Sequence, residues 1–212
     1  MSRQQEDWDR FSSLTTMQNH WDRPAWTPGR QAYYWYLTWD SAPLRSLAEQ
    51  CQSRLQLPYL DPVPLDALHL TMAKLAWEDQ ITPAEVKETV GRATDLCTSL
   101  RPFTLTAGPL AGSPGAVRLT VTPWEPVLEL NRQLVAAGSA SCLNDEAAFR
   151  PHIGVAYCNS NESAKSLIAR VEPLRGLPTV SVTTMSAELV LLRREGSTYR
   201  WSTCASVPLG ME

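Results

Sequence analysis

The sequence is poor in the residues that usually announce a chemistry. Only three histidines occur in 212 residues. The five cysteines (Cys51, Cys97, Cys142, Cys158 and Cys204) are scattered, odd in number and without a C-x-x-C pair, which fits neither a zinc site nor a closed disulfide framework. Free thiols suit a reducing compartment. Neither G-x-G-x-x-G nor G-x-x-x-x-G-K is present, so the glycine-rich loops that cradle dinucleotides and nucleoside triphosphates are excluded. No apolar run approaches the ~20 residues that cross a bilayer. The opening residues MSRQQEDWDR hold no apolar stretch of the kind found in secretory signals. Positive charge is not in excess either. The formal net charge of −3 leaves no basic stripe for duplex DNA, although a pocket for one or two phosphates needs only a few local donors. A cytoplasmic protein with no membrane or duplex-DNA partner is expected.

What the chain does contain is ordinary material for a folded domain, with 43% hydrophobic and 19% charged residues. Its eight tryptophans point to aromatic packing, with a stacking surface as the alternative. Residues 1–30 are polar, carry Trp8, Trp21 and Trp26, and show no clear period. They read as an arm laid over a single domain of residues 31–212.

Regular structure is expected from the aromatic run AYYWYLTW at residues 32–39. A helix follows over 42–56, with Leu44, Leu47, Ala48, Cys51 and Leu55 at helical spacing. A second strand falls within 65–77, then a helix over 83–100 with Thr82, Pro83 and Glu85 as its start signal. Strands over 103–110 and 116–122 flank the turn AGSPG, and a helix over 123–137 ends at Gly138. A strand over 151–157, a helix over 162–171 and three strands over 179–185, 188–194 and 199–207 complete the chain. Glu195-Gly196-Ser197 forms the last hairpin turn. The fold class is α+β.

Two short segments place a histidine inside a strand. In LHLTM, alternation puts Leu68, Leu70 and Met72 on one face and His69 with Thr71 on the other. In PHIGVAY, Ile153, Val155 and Tyr157 share one face, leaving His152, Gly154 and Ala156 opposite. Both histidines therefore avoid the apolar face, where a packed core histidine would sit. Two imidazoles on one groove suit phosphoryl chemistry. Near neutral pH one can accept a proton while the other donates one. A hydroxyl two residues on shares the histidine's face and can donate to a phosphate oxygen.

With those residues in view, the chain resembles the 2H phosphoesterases, in particular the 2′–5′ RNA ligase-like and cyclic phosphodiesterase branch. That family carries two H-x-(Ser/Thr)-h motifs, with h apolar, and residues 69–72 (HLTM) match in full. RPHIGV at 150–155 matches in its proline, histidine and following apolar residues and departs at Gly154. The resemblance covers roughly residues 30–207. It implies a two-lobed, pseudo-symmetric fold with antiparallel sheets around a central cleft and helices packed outside. It further implies a metal-independent, cofactor-free phosphodiesterase acting on a 2′,3′-cyclic phosphate of an RNA end or small nucleotide, here expected as a monomer. His69 and His152 would be acid and base in an order the residues leave open, with Thr71 a phosphate donor. A different reaction on the same cleft, and a binding module without turnover, are the rivals.

Gly154 removes an expected phosphate donor. A backbone N–H or a water replaces it, the pocket is widened for another substrate, or the glycine marks a bulge or close backbone approach. Tyr34 and Tyr36 share a face of the first strand and are candidates to stack on a base. Arg150 and Lys74 are candidates to hold phosphate. Tyr157 is expected in the core and His20 exposed on the arm.

Overall fold

The computed structural model describes residues 2–138 and 149–210; Cys142 lies outside them. In chain order the elements are α1 (Arg3–Ser12), β1 (Thr16–Met17), β2 (Gln31–Thr38), α2 (Ala42–Leu55), β3 (Leu60–Pro62), β4 (His69–Trp77), α3 (Pro83–Cys97), β5 (Phe103–Ser113), β6 (Ala116–Thr122), α4 (Glu125–Ala137), β7 (His152–Cys158), β8 (Glu162–Ser163), α5 (Ala164–Val171), β9 (Val180–Thr184), β10 (Ser186–Glu195) and β11 (Thr198–Pro208). Short 3-10 turns at Leu65–Ala67, Glu78–Gln80 and Glu172–Gly176 join some of them.

The local signals act where the sequence places them. Thr82 and Glu85 close a reciprocal capping box at the start of α3, satisfying backbone N–H groups that the first turn leaves without partners. Ser41 caps α2, whose Leu44, Leu47, Ala48, Cys51 and Leu55 all face the core. Each fully buried leucine of this kind contributes about 1.5–3 kcal/mol. Gly196 takes a φ of 59° in the β10–β11 turn, a conformation open to glycine at little cost.

Apart from the two-stranded β1–β8 pair, the strands form two antiparallel sheets, in the orders β11-β10-β2-β4 and β3-β7-β6-β5-β9. β4 of the first sheet packs against β7 of the second. Each sheet contains a strand–helix–strand unit, β2-α2-β4 in one and β6-α4-β7 in the other, with the strands of each unit paired directly. The two helices cross over. α2 packs on β7, β9 and α5 of the second half, while α4 packs on β4 and α3 of the first. Because each half covers the other's sheet, the two lobes share one continuous core.

The first thirty residues are more regular than their polar composition suggests. Ser2 accepts from the Gln5 N–H and caps α1. Phe11 is 1% exposed and seated on Gly112, where a β-carbon would come within 2.3 Å of the ring. Asp7, also 1% exposed, accepts from Arg150 Nε at 2.6 Å and Arg118 Nη2 at 3.3 Å. β1 then pairs with β8, and Met17 and Trp21 are buried. The helix escapes a periodicity search because one of its two inward side chains is a carboxylate, buried only because distant arginines meet it.

Candidate active site

β4 and β7 present their histidines in matching registers. His69 pairs with Thr38 of β2 and Thr71 with Tyr36; His152 pairs with Thr120 of β6 and Gly154 with Arg118. The ladder then skips one residue in each strand, Met72 in β4 and Val155 in β7. One inserted residue reverses the alternation beyond it. Lys74 and Tyr157, each five residues after its histidine, consequently join the histidine face.

Both imidazoles line one cavity of about 490 Å³, with Thr71, Gly154, Tyr34, Tyr36 and Tyr157. Gln18, Asn19, His20, Asp22, Arg23 and Trp26 of the first thirty residues also line it. A neighbouring groove of about 860 Å³ shares Tyr34, Thr71 and His152 and adds Lys74, Arg118 and Arg150. All the residues expected at the site thus fall in two adjoining hollows with the histidine strands between them.

Each ring is held the same way. His69 Nδ1 is 2.9 Å from the Ala67 carbonyl and His152 Nδ1 is 2.7 Å from the Arg150 carbonyl, in both cases two residues back along the chain. Nδ1 donates to these oxygens, which leaves Nε2 of each neutral ring with its lone pair free. His69 is only 7% exposed because Tyr36 stacks on it at 4.1 Å and Trp201 meets its edge. Burial holds its pKa down at about 4, although the Ala67 carbonyl favours the charged form. His152 is held at about 3 by burial and by the Arg118 guanidinium, against the Arg150 carbonyl. Arg118 Nη1 is 3.4 Å from His152 Nδ1, so positive charge already stands beside this ring.

The other candidates divide. Thr71 is half-buried and stands opposite Tyr36 across the β2–β4 ladder. Tyr36 is buried with its ring against His69, so it braces the imidazole, while Tyr34 is half-buried and borders both hollows. Lys74 lies over the Trp77 ring, its pKa lowered to about 8 chiefly by burial. Arg150 is bound to Asp7 and Glu6 and covers the Trp124 face, so its charge is largely spent on anchoring α1. Gly154 is buried beside the Val155 bulge, and a β-carbon on it would lie 3.3 Å from Tyr157 Oη.

Two expectations fail here. Tyr157 leaves the apolar face for the cleft because Val155 adds a residue to its strand. His20 is half-buried, not exposed, with its ring stacked on Tyr157 at 4.0 Å. Arg118 and Tyr199 also line the hollows, and neither carries a local signal. Tyr157 does carry one: HLTMAK and HIGVAY repeat an apolar pattern with alanine four places after each histidine.

The described residues contain no helix long and apolar enough to cross a membrane. Cys51, Cys97 and Cys158 are buried free thiols and Cys204 is exposed. No curated protein matches the chain. Several solved structures share its fold. A crystal structure of a phosphoesterase superposes with a TM-score of 0.67 and 19% identity, covering 86% of this chain and 99% of its own. LigT of E. coli complexed with NADP+ gives 0.66 and 19% over the same shares. TT0787 of Thermus thermophilus gives 0.63 and 18%, covering 85% of this chain and 100% of its own. The sequence pattern of the 2′-5′ RNA ligase superfamily matches residues 41–198, a stretch that includes both histidine strands. The chain therefore belongs to the 2′-5′ RNA ligase superfamily of 2H phosphoesterases.

Proposed function

We propose that the protein is a phosphodiesterase that opens a 2′,3′-cyclic phosphate, or a related phosphodiester, on an RNA end or small nucleotide, with His69 and His152 as its acid and base. The observation that carries this reading is the matched pair of imidazoles on one cavity, each tied through Nδ1 to the carbonyl two residues before it. That tie fixes the tautomer, so Nε2 of each ring is the atom that exchanges a proton. The relatives in the fold family add weight, since LigT of E. coli has been crystallised with 3′-AMP, with phosphate and with ATP.

The surroundings of the two rings favour one order of roles. His152, beside Arg118, resists a second positive charge and keeps its lone pair, which suits the base. His69, stacked on the neutral Tyr36, takes a proton more readily and suits the acid. An anionic phosphodiester between them raises both pKa values toward the working range. His152 Nε2 removes a proton from water as its oxygen bonds to phosphorus. The bond from phosphorus to O3′ breaks, and His69 gives its proton to that oxygen. The product is a 2′-phosphate beside a free 3′-hydroxyl, and solvent resets both rings. Thr71 donates to a non-bridging oxygen, and Arg23 and Lys74 border the cleft as counter-charges.

The test is hydrolysis of 2′,3′-cyclic AMP and of a cyclic-phosphate-ended oligonucleotide by EDTA-treated protein, with the product's phosphate position read by phosphorus NMR. Turnover that disappears in both His69→Ala and His152→Ala is the expected result. Binding of these ligands without histidine-dependent turnover would make the protein a binding module. No binding across a nucleotide panel would point to a different substrate on the same cleft.

A further inference from the structure

Gly154 stands where the resemblance expects a hydroxyl, and the fold brings a hydroxyl to that place from elsewhere. We infer that Tyr157 Oη supplies the phosphate hydrogen bond that residue 154 lacks, so that the donor of the second motif has moved three residues along β7. The inference rests on the phosphodiesterase reading and adds a phosphate-binding residue to it.

Three independent features carry it. The first is position. A β-carbon on Gly154 would sit 3.3 Å from Tyr157 Oη, closer than most β-carbons approach any neighbour. A serine or threonine hydroxyl extends a further ~1.4 Å from that carbon. The tyrosine oxygen therefore lies next to the place of the missing one, and a side chain at residue 154 would crowd it. The second is the backbone. Without the Val155 bulge, Tyr157 would face the core; with it, Tyr157 shares the cavity with His69, Thr71 and His152. The same device in β4 brings Lys74 to the equivalent place, five residues after its histidine.

The third is preparation of the side chain. His20 stacks on the tyrosine ring at 4.0 Å and 24°, while Trp21 and Tyr199 meet it edge-on at 5.3 and 5.7 Å. A ring clamped on these sides holds its oxygen still before substrate arrives, so little ordering remains to be done on binding. Burial, with Tyr199 next to it, raises the phenol's pKa, which keeps the proton on the oxygen as a donor needs. Among the described residues no protein group is hydrogen-bonded to this hydroxyl. His20, predicted to be an exposed arm residue, thereby acquires a positioning role.

The experiment compares Tyr157→Phe, Gly154→Ser with Tyr157→Phe, and Gly154→Ala with Tyr157→Phe, using 2′,3′-cyclic AMP turnover and the affinity for inorganic phosphate. Thermal melts check that each variant is folded. Losing one hydrogen bond to a charged group predicts that Tyr157→Phe lowers kcat about 10- to 150-fold and weakens phosphate binding at least about tenfold. The serine double variant should recover at least about tenfold of either loss, and the alanine double variant should not. A Tyr157→Phe protein within about threefold of wild type in both measurements overturns the inference, as does rescue by alanine equal to that by serine. If the wild type shows no histidine-dependent turnover, the hydrolytic reading fails, and the phosphate affinities alone decide the role of Tyr157.

Discussion

The strand that carries His69 and the strand that carries His152 share a backbone and differ in the side chains that surround the ring. Both tie Nδ1 to the carbonyl two residues back, both pair the histidine with a threonine of the neighbouring strand, and both bulge three residues later. Around His69 the supports are aromatic: Tyr36 lies on its face and Trp201 on its edge. Around His152 they are ionic: Arg118 lies beside it, held by the buried Asp7 of α1. The second residue of the motif is Thr71 in one strand and Gly154 in the other, and the fifth after the histidine is Lys74 or Tyr157. Main-chain geometry can be repeated without repeating the side chains around it, and the two like imidazoles stand in unequal surroundings.

The comparison breaks most visibly at the histidines themselves. A general acid or base contributes about 10²- to 10⁴-fold, so His69→Ala and His152→Ala should each lower kcat by that range in the cyclic nucleotide assay. A variant that keeps more than about a tenth of the rate would remove its strand from the chemistry. Next in size is Asp7→Ala, which acts on the second half alone. It leaves Arg118 and Arg150 without their buried partner and should cost about 3–5 kcal/mol in a urea unfolding curve, with loss of the packed Phe11.

The pH dependence of stability separates the two rings further. A histidine whose folded pKa lies below 6.5 binds its proton more readily when unfolded, so protonation favours unfolding. Stability from the neutral rings is whole above about pH 6.5. It is lost as pH falls, down to about 4 for His69 and about 3 for His152. Replacing His152 by Gln should therefore flatten the acid limb over a wider window than replacing His69, as read by urea midpoints from pH 7 to 3. The smallest effect belongs to Lys74→Met. A partly exposed charge on a phosphate is worth about 0.2–1 kcal/mol, which raises KM less than about sixfold and leaves kcat in place.

Much of the frame was legible from local pattern. The helical spacing of Leu44 to Leu55, the Thr82–Glu85 cap and the Gly196 turn are decided within a few residues, and the strands follow their alternation. The two histidine segments could be picked out because both avoid the apolar face. α1 could not, since its inward Asp7 is partnered by residues 111 and 143 positions away. His20 could not, because its burial comes from Tyr157 and Tyr199, which belong to strands β7 and β11. Tyr157 was assigned to the wrong face by a rule that holds only while the ladder stays in register.

By itself the sequence determined the order of the main elements after residue 30, several of their caps and turns, and the two strands that turn a histidine away from their apolar face. These depend on contacts between near neighbours, and periodicity records them. Only the tertiary structure decided which side chains meet those imidazoles. Whether Met72 and Val155 pair or bulge depends on the hydrogen bonds of the strand alongside, and one skipped residue carries Lys74 and Tyr157 across the sheet. That Tyr157 Oη lies beside Gly154 is likewise visible only in the register of β6 against β7.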